Sequence, residues 1–380
     1  MTHPLTPEQE QIVRDTLPVV GAKIDDITPN FYRRMFAAHP ELIAHVFNRG
    51  NQKQGAQQRA LAASFATFAK TLVDPEAPDP AELLARIGHK HVSVGIREDQ
   101  YPIVHTHLFD AIEEILTPEV FQGPVREAWD AVYREMERVL VDFENGIYEE
   151  KGVASGDVFR TVRVTRKQRL TDTITAFTVA SDADFRPGQY ISVRRTMADG
   201  AGQLRQYSLI GAPGRGELSF AVERDGEVSQ SLIDGLEEGQ DVEISLPTGD
   251  LVLDEERDTP VVLVSAGIGA TPMAGILQHL ADAGSPRAVL DLHADHSEET
   301  DALRELRAEA VKRLPHGAAR TWYAPERLHL RDVDLPEDAD VYLCGGTGFL
   351  QAARAELEER GVPRARVHFE LFGPNDWLLD

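Results

Sequence analysis

The first 150 residues carry apolar side chains at the spacing of amphipathic helices. Leu61, Phe65 and Phe68 follow one another at intervals of four and three residues, and Trp129 and Val132 begin another such series. Side chains three or four residues apart share one face of an α-helix, so this pattern predicts an all-α domain over residues 1–150.

The pattern changes at residues 151–157 (KGVASGD), a run of small and polar residues that we interpret as a linker. Beyond it, short segments rich in β-branched and aromatic residues alternate with Gly- and Pro-containing turns, which is typical of antiparallel strands. They predict an antiparallel β-barrel over residues 158–255. The predicted strands are Phe159–Val164, Thr173–Val179, Tyr190–Arg194 and Leu218–Val222.

From residue 256 to 380, continuously apolar strands alternate with helical patterns. This alternation predicts a doubly wound α/β domain, so the whole chain is expected to be multidomain: all-α, then β-barrel, then α/β. The predicted strands are Val261–Val264, Val289–His293 and Val341–Cys344, and the predicted helices are Met273–Ala283, Asp301–Arg313 and Phe349–Glu359.

Composition narrows the classes of function. The 380 residues include 63 acidic and 39 basic side chains, and the net charge of −24 disfavours nucleic acid and anionic membranes as partners. Cys344 is the only cysteine, which excludes an intrachain disulfide and Cys-based zinc or iron–sulfur sites. Residues Met1–Glu10 lack the features of a signal peptide, and glycines break the apolar run Val261–Leu277. We therefore expect a cytoplasmic protein without membrane insertion; its oligomeric state stays open.

One histidine of the helical part lies on an apolar helix face. Leu84, Ile87, His91 and Val94 are spaced by three, four and three residues, so His91 points towards the core. A core histidine is usually a hydrogen-bonded packing residue, and the spacing alone leaves that interpretation beside metal ligation.

The segments around His91 favour ligation. The runs Asn30–Phe36 (NFYRRMF) and Val46–Leu61 (VFNRGNQKQGAQQRAL), the pair Lys90-His91, and Tyr101 ten residues further on resemble the globin domain of the flavohaemoglobin family. The likeness extends over nearly all of the helical part.

The resemblance implies that His91 is the proximal iron ligand of haem b. It places Tyr101 and Glu144 beside the second imidazole nitrogen, as catalytic residues that hold the ring and increase its electron donation. It also places Lys90 near the proximal side of the haem. Without the resemblance, Glu144 would be interpreted as a surface acid and Lys90 as a lysine at a helix edge.

On the distal side, the resemblance implies catalytic roles for Tyr32 and Gln57 next to the iron-bound ligand, where a hydrogen-bond donor stabilises partial negative charge. Phe47 matches the aromatic residue that wedges the haem. From composition alone, Tyr32 and Phe47 are equally well explained as core aromatics.

The barrel carries a second set of motifs. The run Arg205–Ser208 (RQYS), preceded by Arg186–Tyr190 (RPGQY), resembles the FAD-binding barrel of the ferredoxin reductase superfamily. Arginine can bind pyrophosphate with its bidentate fork, and the tyrosine can offer a face to the flavin. Gly226–Leu232 (GEVSQSL) would hold phosphate, and the C-terminal run ELFGP would cover the flavin. The implied FAD contacts are Tyr190, Arg205, Gln206, Tyr207, Ser208, Val228, Ser229, Glu370, Leu371, Phe372, Gly373 and Pro374.

Residues Val261–Met273 (VVLVSAGIGATPM) join a buried strand to a glycine turn and a helix start, which suits a nucleotide phosphate. A second signature, Tyr342–Phe349 (YLCGGTGF), follows at the separation that the family shows. Acidic Asp295 and Glu298 after the strand Val289–His293 favour NADH over NADPH, although NADPH stays open. The implied nucleotide contacts are Gly267, Ile268, Gly269, Ala270, Thr271 and Pro272.

Together, the resemblances imply a nitric oxide dioxygenase, which converts nitric oxide and oxygen to nitrate with electrons passed from NAD(P)H through FAD to haem. Three alternatives stay open. One is an NAD(P)H-dependent reductase of peroxides, quinones or ferric chelates, and the second is a haem-based gas sensor. The third is a ferredoxin-reductase-like enzyme whose helical part is an adaptor that binds no haem.

Overall fold

The computed structural model describes residues 4–50, 56–74, 80–117 and 119–373; the side chains of residues 56–60, 62, 63 and 80–83 lie outside this description. Two compact units divide the chain. The first comprises residues 1–158, 196–204 and 373–380, and the second residues 159–195 and 205–372. The expected boundary near residue 255 falls inside the second unit and stays a prediction.

The first unit is helical, as predicted. Thr6 caps the first helix, because its hydroxyl accepts from the Gln9 amide while the Gln9 side chain accepts from the Thr6 amide. The core buries large side chains at the predicted spacing, including Phe31, Phe68 and Trp129. The helices are Pro7–Ala22 (α1), Ile24–Ala38 (α2), Pro40–His45 (α3), Ala56–Val73 (α4), Pro80–Val94 (α5), Tyr101–Leu116 (α6) and Pro124–Glu150 (α7).

A six-stranded sheet begins the second unit, with the order β4-β3-β6-β1-β2-β5. An isolated antiparallel bridge between Leu209, which follows β4, and Phe220 of β5 brings the two ends of this sheet together, as a barrel requires. The elements are Phe159–Arg169 (β1), Ile174–Ala180 (β2), Tyr190–Thr196 (β3), Gly202–Ser208 (β4), Glu217–Glu223 (β5), Glu227–Gly235 (α8) and Asp241–Ser245 (β6).

The remaining elements form a parallel sheet with the order β11-β10-β7-β8-β9, the arrangement of a doubly wound fold. Leu263, Met273 and Tyr342 lie in its core. The elements are Val261–Ala266 (β7), Ala270–Asp282 (α9), Val289–Asp295 (β8), Arg304–Arg313 (α10), Gly317–Tyr323 (β9), Asp340–Cys344 (β10), Thr347–Glu359 (α11) and Val367–Glu370 (β11).

The structure differs from the sequence-based elements in several respects. Strand β1 continues to Arg169 instead of ending at Val164, and helices α9 and α11 begin at Ala270 and Thr347 instead of Met273 and Phe349. Strands β4, β6, β9 and β11 had not been predicted; β9, for example, is an edge strand with mainly exposed or half-buried residues and little apolar alternation. Helix α10 begins at Arg304 rather than at Asp301, because the Asp301 carboxylate is turned inward to bind Arg307.

Candidate functional site

Three side chains meet on the apolar face of α5. His91 Nδ1 lies 2.7 Å from Glu144 Oε1 and 3.1 Å from the Tyr101 hydroxyl, which itself donates to Glu144 Oε1 over 2.6 Å. Glu144 is 2% exposed. The structure thus brings together the three residues that the sequence placed here, and the interpretation of Glu144 as a surface acid is wrong.

These contacts determine the proton positions. A carboxylate has no hydrogen to donate, so Glu144 accepts hydrogen bonds from both the Tyr101 hydroxyl and His91 Nδ1. Nδ1 therefore carries the proton, and Nε2 keeps its lone pair. Burial, and next the nearby negative charge of Glu144, raise the pKa of Tyr101 above its ordinary value. The phenol therefore remains a donor at neutral pH, and His91 presents the nitrogen that a metal requires.

Two further tyrosines, which the sequence analysis did not assign to the site, hold the backbone next to this arrangement. The Tyr133 hydroxyl donates to the Tyr101 carbonyl over 2.8 Å, and the Tyr148 hydroxyl donates to the Ile96 carbonyl over 2.6 Å. Both belong to α7, the helix that carries Glu144. The signal in the sequence was their spacing on that face, since Tyr133, Glu144 and Tyr148 recur at intervals of eleven and four residues.

The second expected group is aromatic. The buried ring of Tyr32 lies 5.8 Å from the ring of Phe47 in an edge-on arrangement, and Phe36 contacts both rings. The structure therefore brings Tyr32 and Phe47 together. Gln57 belongs to α4, but its side chain lies outside the described residues. Lys90 is exposed at the end of α5, one residue before His91.

In the barrel, the run Arg205–Ser208 forms the end of β4. Gln206 donates to the Ser192 hydroxyl over 2.7 Å, while Tyr207 stacks on Phe220 at 5.6 Å between ring centres. Burial lowers the pKa of the Arg205 guanidinium and raises the pKa of the Tyr207 phenol. The strand thus holds a half-buried cation beside an aromatic ring.

Tyr190 begins β3 and lies against the PTGD run at 247–250. Its backbone exchanges two hydrogen bonds with Thr248, and a Cβ on Gly249 would approach its ring to 3.0 Å. Only glycine permits this approach, since Gly249 also has φ of +135°. This explains the glycine of the PTGD run.

Helix α8 confirms a helix start at the GEVSQSL segment. The Ser229 hydroxyl accepts from the amides of Asp225 and Gly226 and donates to the Gly226 carbonyl. Its hydrogen bonds are therefore used to cap the helix, and a phosphate here would be held by other groups of the first turn. Val228 is fully buried beside it.

The two glycine signatures of the parallel sheet meet. A Cβ on Gly269 would lie 2.4 Å from the Cys344 carbonyl oxygen, so the turn between β7 and α9 can touch the end of β10 only with glycine there. Thr271 donates to the Ile268 carbonyl over 2.8 Å, which tightens the same turn. Ala270 and Pro272 are buried in the first turn of α9, and Gly267 has φ of +54°.

The C-terminal run leaves β11 at Glu370, which pairs with Cys344 of β10. Leu371 is buried, whereas Phe372 is 50% exposed, one of the few large apolar side chains in the described residues with that exposure. Gly373 follows in an exposed bend, and Pro374 lies outside the described residues. An exposed ring at this position suits a segment that covers a bound group.

The two acidic residues that follow β8, Asp295 and Glu298, both have polar partners. Asp295 accepts from the Thr300 hydroxyl and the His296 amide, each over 2.6 Å, and its side chain is 7% exposed. Glu298 forms an ion pair with Arg304, both at the surface. The sequence had shown acids without an arginine at this point, and the structure supplies the arginine from α10.

Among the described helices, none has the length and apolar character needed to cross a membrane. The Globin family model matches residues 29–140. A helical globin part followed by a barrel and a doubly wound sheet defines the class of a globin joined to a ferredoxin-reductase-like module.

Comparison with individual proteins narrows this class. A flavohemoprotein of Chromobacterium violaceum is 38% identical over 97% of this chain and 98% of its own length. The crystal structure of a flavohemoglobin from Malassezia yamatoensis, with bound FAD and heme, superposes with a TM-score of 0.90 at 31% identity, covering 97% of this chain and 100% of that one. The FAD/NAD-binding domain of a nitric oxide dioxygenase from Vibrio cholerae matches 57% of this chain and 99% of its own, at 35% identity and a TM-score of 0.53. The chain belongs to the flavohemoprotein family, which confirms the resemblance and the multidomain fold class inferred from its sequence.

Proposed function

We propose that this protein is a nitric oxide dioxygenase, which converts nitric oxide and oxygen to nitrate with electrons from NADH. The observation that carries the proposal is the His91–Glu144–Tyr101 arrangement, combined with membership of a family whose name joins flavin and haem. The family relationship supports haem, FAD and a nicotinamide as the cofactors. When bound, FAD would convert the two electrons of a hydride into single electrons, and haem would supply the one-electron oxygen chemistry.

His91 would hold the haem iron through Nε2. Glu144 accepts a hydrogen bond from the Nδ1–H of His91, which would increase the electron donation of the imidazole, and Tyr101 fixes the carboxylate in place. A strongly donating axial ligand favours oxygen activation over simple storage. Tyr32 would donate a hydrogen bond on the opposite side, in a setting of aromatic rings where such a bond is stronger than in water.

Arg205, Tyr207 and the first turn of α8 would hold FAD, and the glycine turn that opens α9 would hold the nicotinamide dinucleotide. The half-buried guanidinium of Arg205 would neutralise phosphate charge, and the face of Tyr207 that does not stack on Phe220 would be turned to the flavin. Phe372 would cover the flavin ring system and move aside when the nicotinamide binds.

The test is aerobic removal of nitric oxide, followed with an electrode in the presence of NADH, together with nitrate determination. We expect rapid removal with nitrate as the product. Oxidation of NADH with quinone or peroxide as acceptor, and no removal of nitric oxide, would reject the proposal and leave a reductase.

Replacing Gly269 by alanine is expected to destabilise the protein by about 1–3 kcal/mol, because the new methyl group would overlap the Cys344 carbonyl. The shift of the turn that relieves this overlap should raise KM for NADH more than it lowers kcat. Urea unfolding and steady-state kinetics measure both effects. Gly21→Ala in α1 is the control, since a Cβ there meets nothing within 4 Å and the residue lies outside both nucleotide signatures; equal effects of the two substitutions would contradict the role of the Gly269 turn.

We expect the protein to prefer NADH, because acidic residues follow β8. Glu298→Gln should release Arg304 from its ion pair and improve kcat/KM for NADPH by up to about fivefold, the range of an exposed ion pair. Kinetics with both nucleotides test this, with Glu299→Gln as the control on the same loop. A preference for NADPH in the unaltered protein would overturn the expectation.

A further inference from the structure

A second group of metal-type ligands lies in the α/β part of the second unit, where β8 ends. The side chains of His293, Asp295 and Asp301 each offer one donor atom, and these three atoms all lie within 4.8 Å of one another. We propose that these residues bind a zinc ion, which ties the loop after β8 to the sheet. The proposal is independent of the dioxygenase function.

The distances between the imidazole nitrogen and the two carboxylate oxygens fit a shared metal ion better than direct ion pairs. His293 Nε2 lies 3.4 Å from Asp295 Oδ2 and 3.5 Å from Asp301 Oδ1. A charged histidine bonded to a carboxylate would be nearer, at about 2.7–2.9 Å. Two donors bound tetrahedrally to zinc at about 2.1 Å are separated by about 3.4 Å, which matches the two histidine–carboxylate separations.

The other polar atoms of these ligands are already held. Ser265 on β7 lies 2.8 Å from His293 Nδ1, which leaves Nε2 to face the two carboxylates. Thr300 donates to Asp295 Oδ1 and leaves Oδ2 facing the histidine. Supporting contacts of this kind orient the ligands of protein metal sites.

Asp301 supplies the independent observation. Its Oδ2 accepts from Arg307 over 2.8 Å and from the Tyr323 hydroxyl over 3.2 Å. The residue is only 6% exposed, and its Oδ1 is buried and accepts no hydrogen bond from the described residues. A buried carboxylate oxygen without a donor is costly, and a cation between it and His293 would remove that cost.

The charges agree with a cation. Asp291 and Asp301 pair with the buried guanidinium of Arg307, whereas Asp295 contacts His293, the Thr300 hydroxyl and the His296 amide. The acidic side chains of this group outnumber its one guanidinium, and a divalent ion would place positive charge beside them. One imidazole nitrogen and two carboxylate oxygens form a ligand set suited to zinc, with a water molecule as the fourth ligand, whereas magnesium and calcium prefer oxygen alone.

The test uses the full-length protein with its cofactors, expressed with added zinc and then desalted. Elemental mass spectrometry should find about one zinc ion per chain, counted separately from haem iron. His293→Asn retains an amide group near Ser265 but lacks Nε2, and Asp301→Asn keeps the shape of the side chain; both should lose the zinc. Glu299→Gln, a carboxylate on the same loop outside the ligand set, should retain it.

A second measurement needs no substitution. Zinc added back to chelator-treated protein should raise Tm by a few degrees, because it binds only the folded form, and magnesium should not. Soret and FAD absorbance show whether each variant is folded, and nitric oxide removal is not used as a readout. Zinc absent from the unaltered protein without an effect on Tm, or equal zinc in all variants, would overturn the proposal.

Discussion

Replacing His91 by alanine is expected to abolish the Soret absorption of the purified protein and its removal of nitric oxide. His91 is the residue whose Nε2 is left with a lone pair, because Glu144 and Tyr101 engage Nδ1. Without it, the iron would lose its axial nitrogen and the haem its anchor. NADH oxidation by the flavin module should continue, since none of its proposed contacts involves His91. Absorption spectra and nitric oxide consumption measure the two losses.

The matched control is His89→Ala on the same helix. The His89 ring packs edge-on against Phe143 at 5.2 Å, outside the His91–Glu144–Tyr101 arrangement. This variant should keep its Soret band and its turnover. A Soret band of normal intensity in His91→Ala would show that another residue holds the haem.

Replacing Glu144 by glutamine should lower nitric oxide turnover by about 10- to 100-fold while haem remains bound, the usual effect of losing a group that orients a metal ligand. The carboxylate accepts two hydrogen bonds, from His91 and from Tyr101, and glutamine has no negative charge with which to polarise the imidazole. The reduction potential of the haem should rise, because the less anionic ligand stabilises ferric iron less well. Potentiometry and turnover measure the two effects.

Glu149→Gln provides the control, since Glu149 is an exposed acid at the end of the same helix. It should change neither quantity. An unaltered potential in Glu144→Gln, with turnover reduced only through lower haem content, would show that Glu144 merely supports the fold.

Helical spacing predicted only part of the proximal side of the site. It placed His91 on an apolar helix face; Leu84 and Ile87 of that face pack in the core, while the His91 side chain is 30% exposed. The spacing could not distinguish a hydrogen-bonded core histidine from a ligand, because that difference depends on which side chain of a distant helix meets Nδ1. Glu144 lies 53 residues away from His91, and it was the resemblance to a family that connected the two.

Strand β9 and the cluster around Asp301 could not be predicted from local sequence patterns. Edge strand β9 shows little alternation because most of its residues are exposed or half-buried, so its register depends on pairing with β8. Asp301 was interpreted as the first residue of a helix, although its carboxylate lies inside a cluster with Arg307 and His293. Such clusters form between residues that the parallel sheet brings together, and the periodicity of the sequence does not predict them.

The most direct test of the dioxygenase proposal follows the oxygen atoms. Nitric oxide and NADH are supplied to the protein under isotopically labelled dioxygen, and the nitrate formed is analysed by mass spectrometry. The proposal predicts that both atoms of one labelled dioxygen appear in the same nitrate molecule, and that His91→Ala forms none. Nitrate without label, or nitric oxide removed as another product, would contradict it.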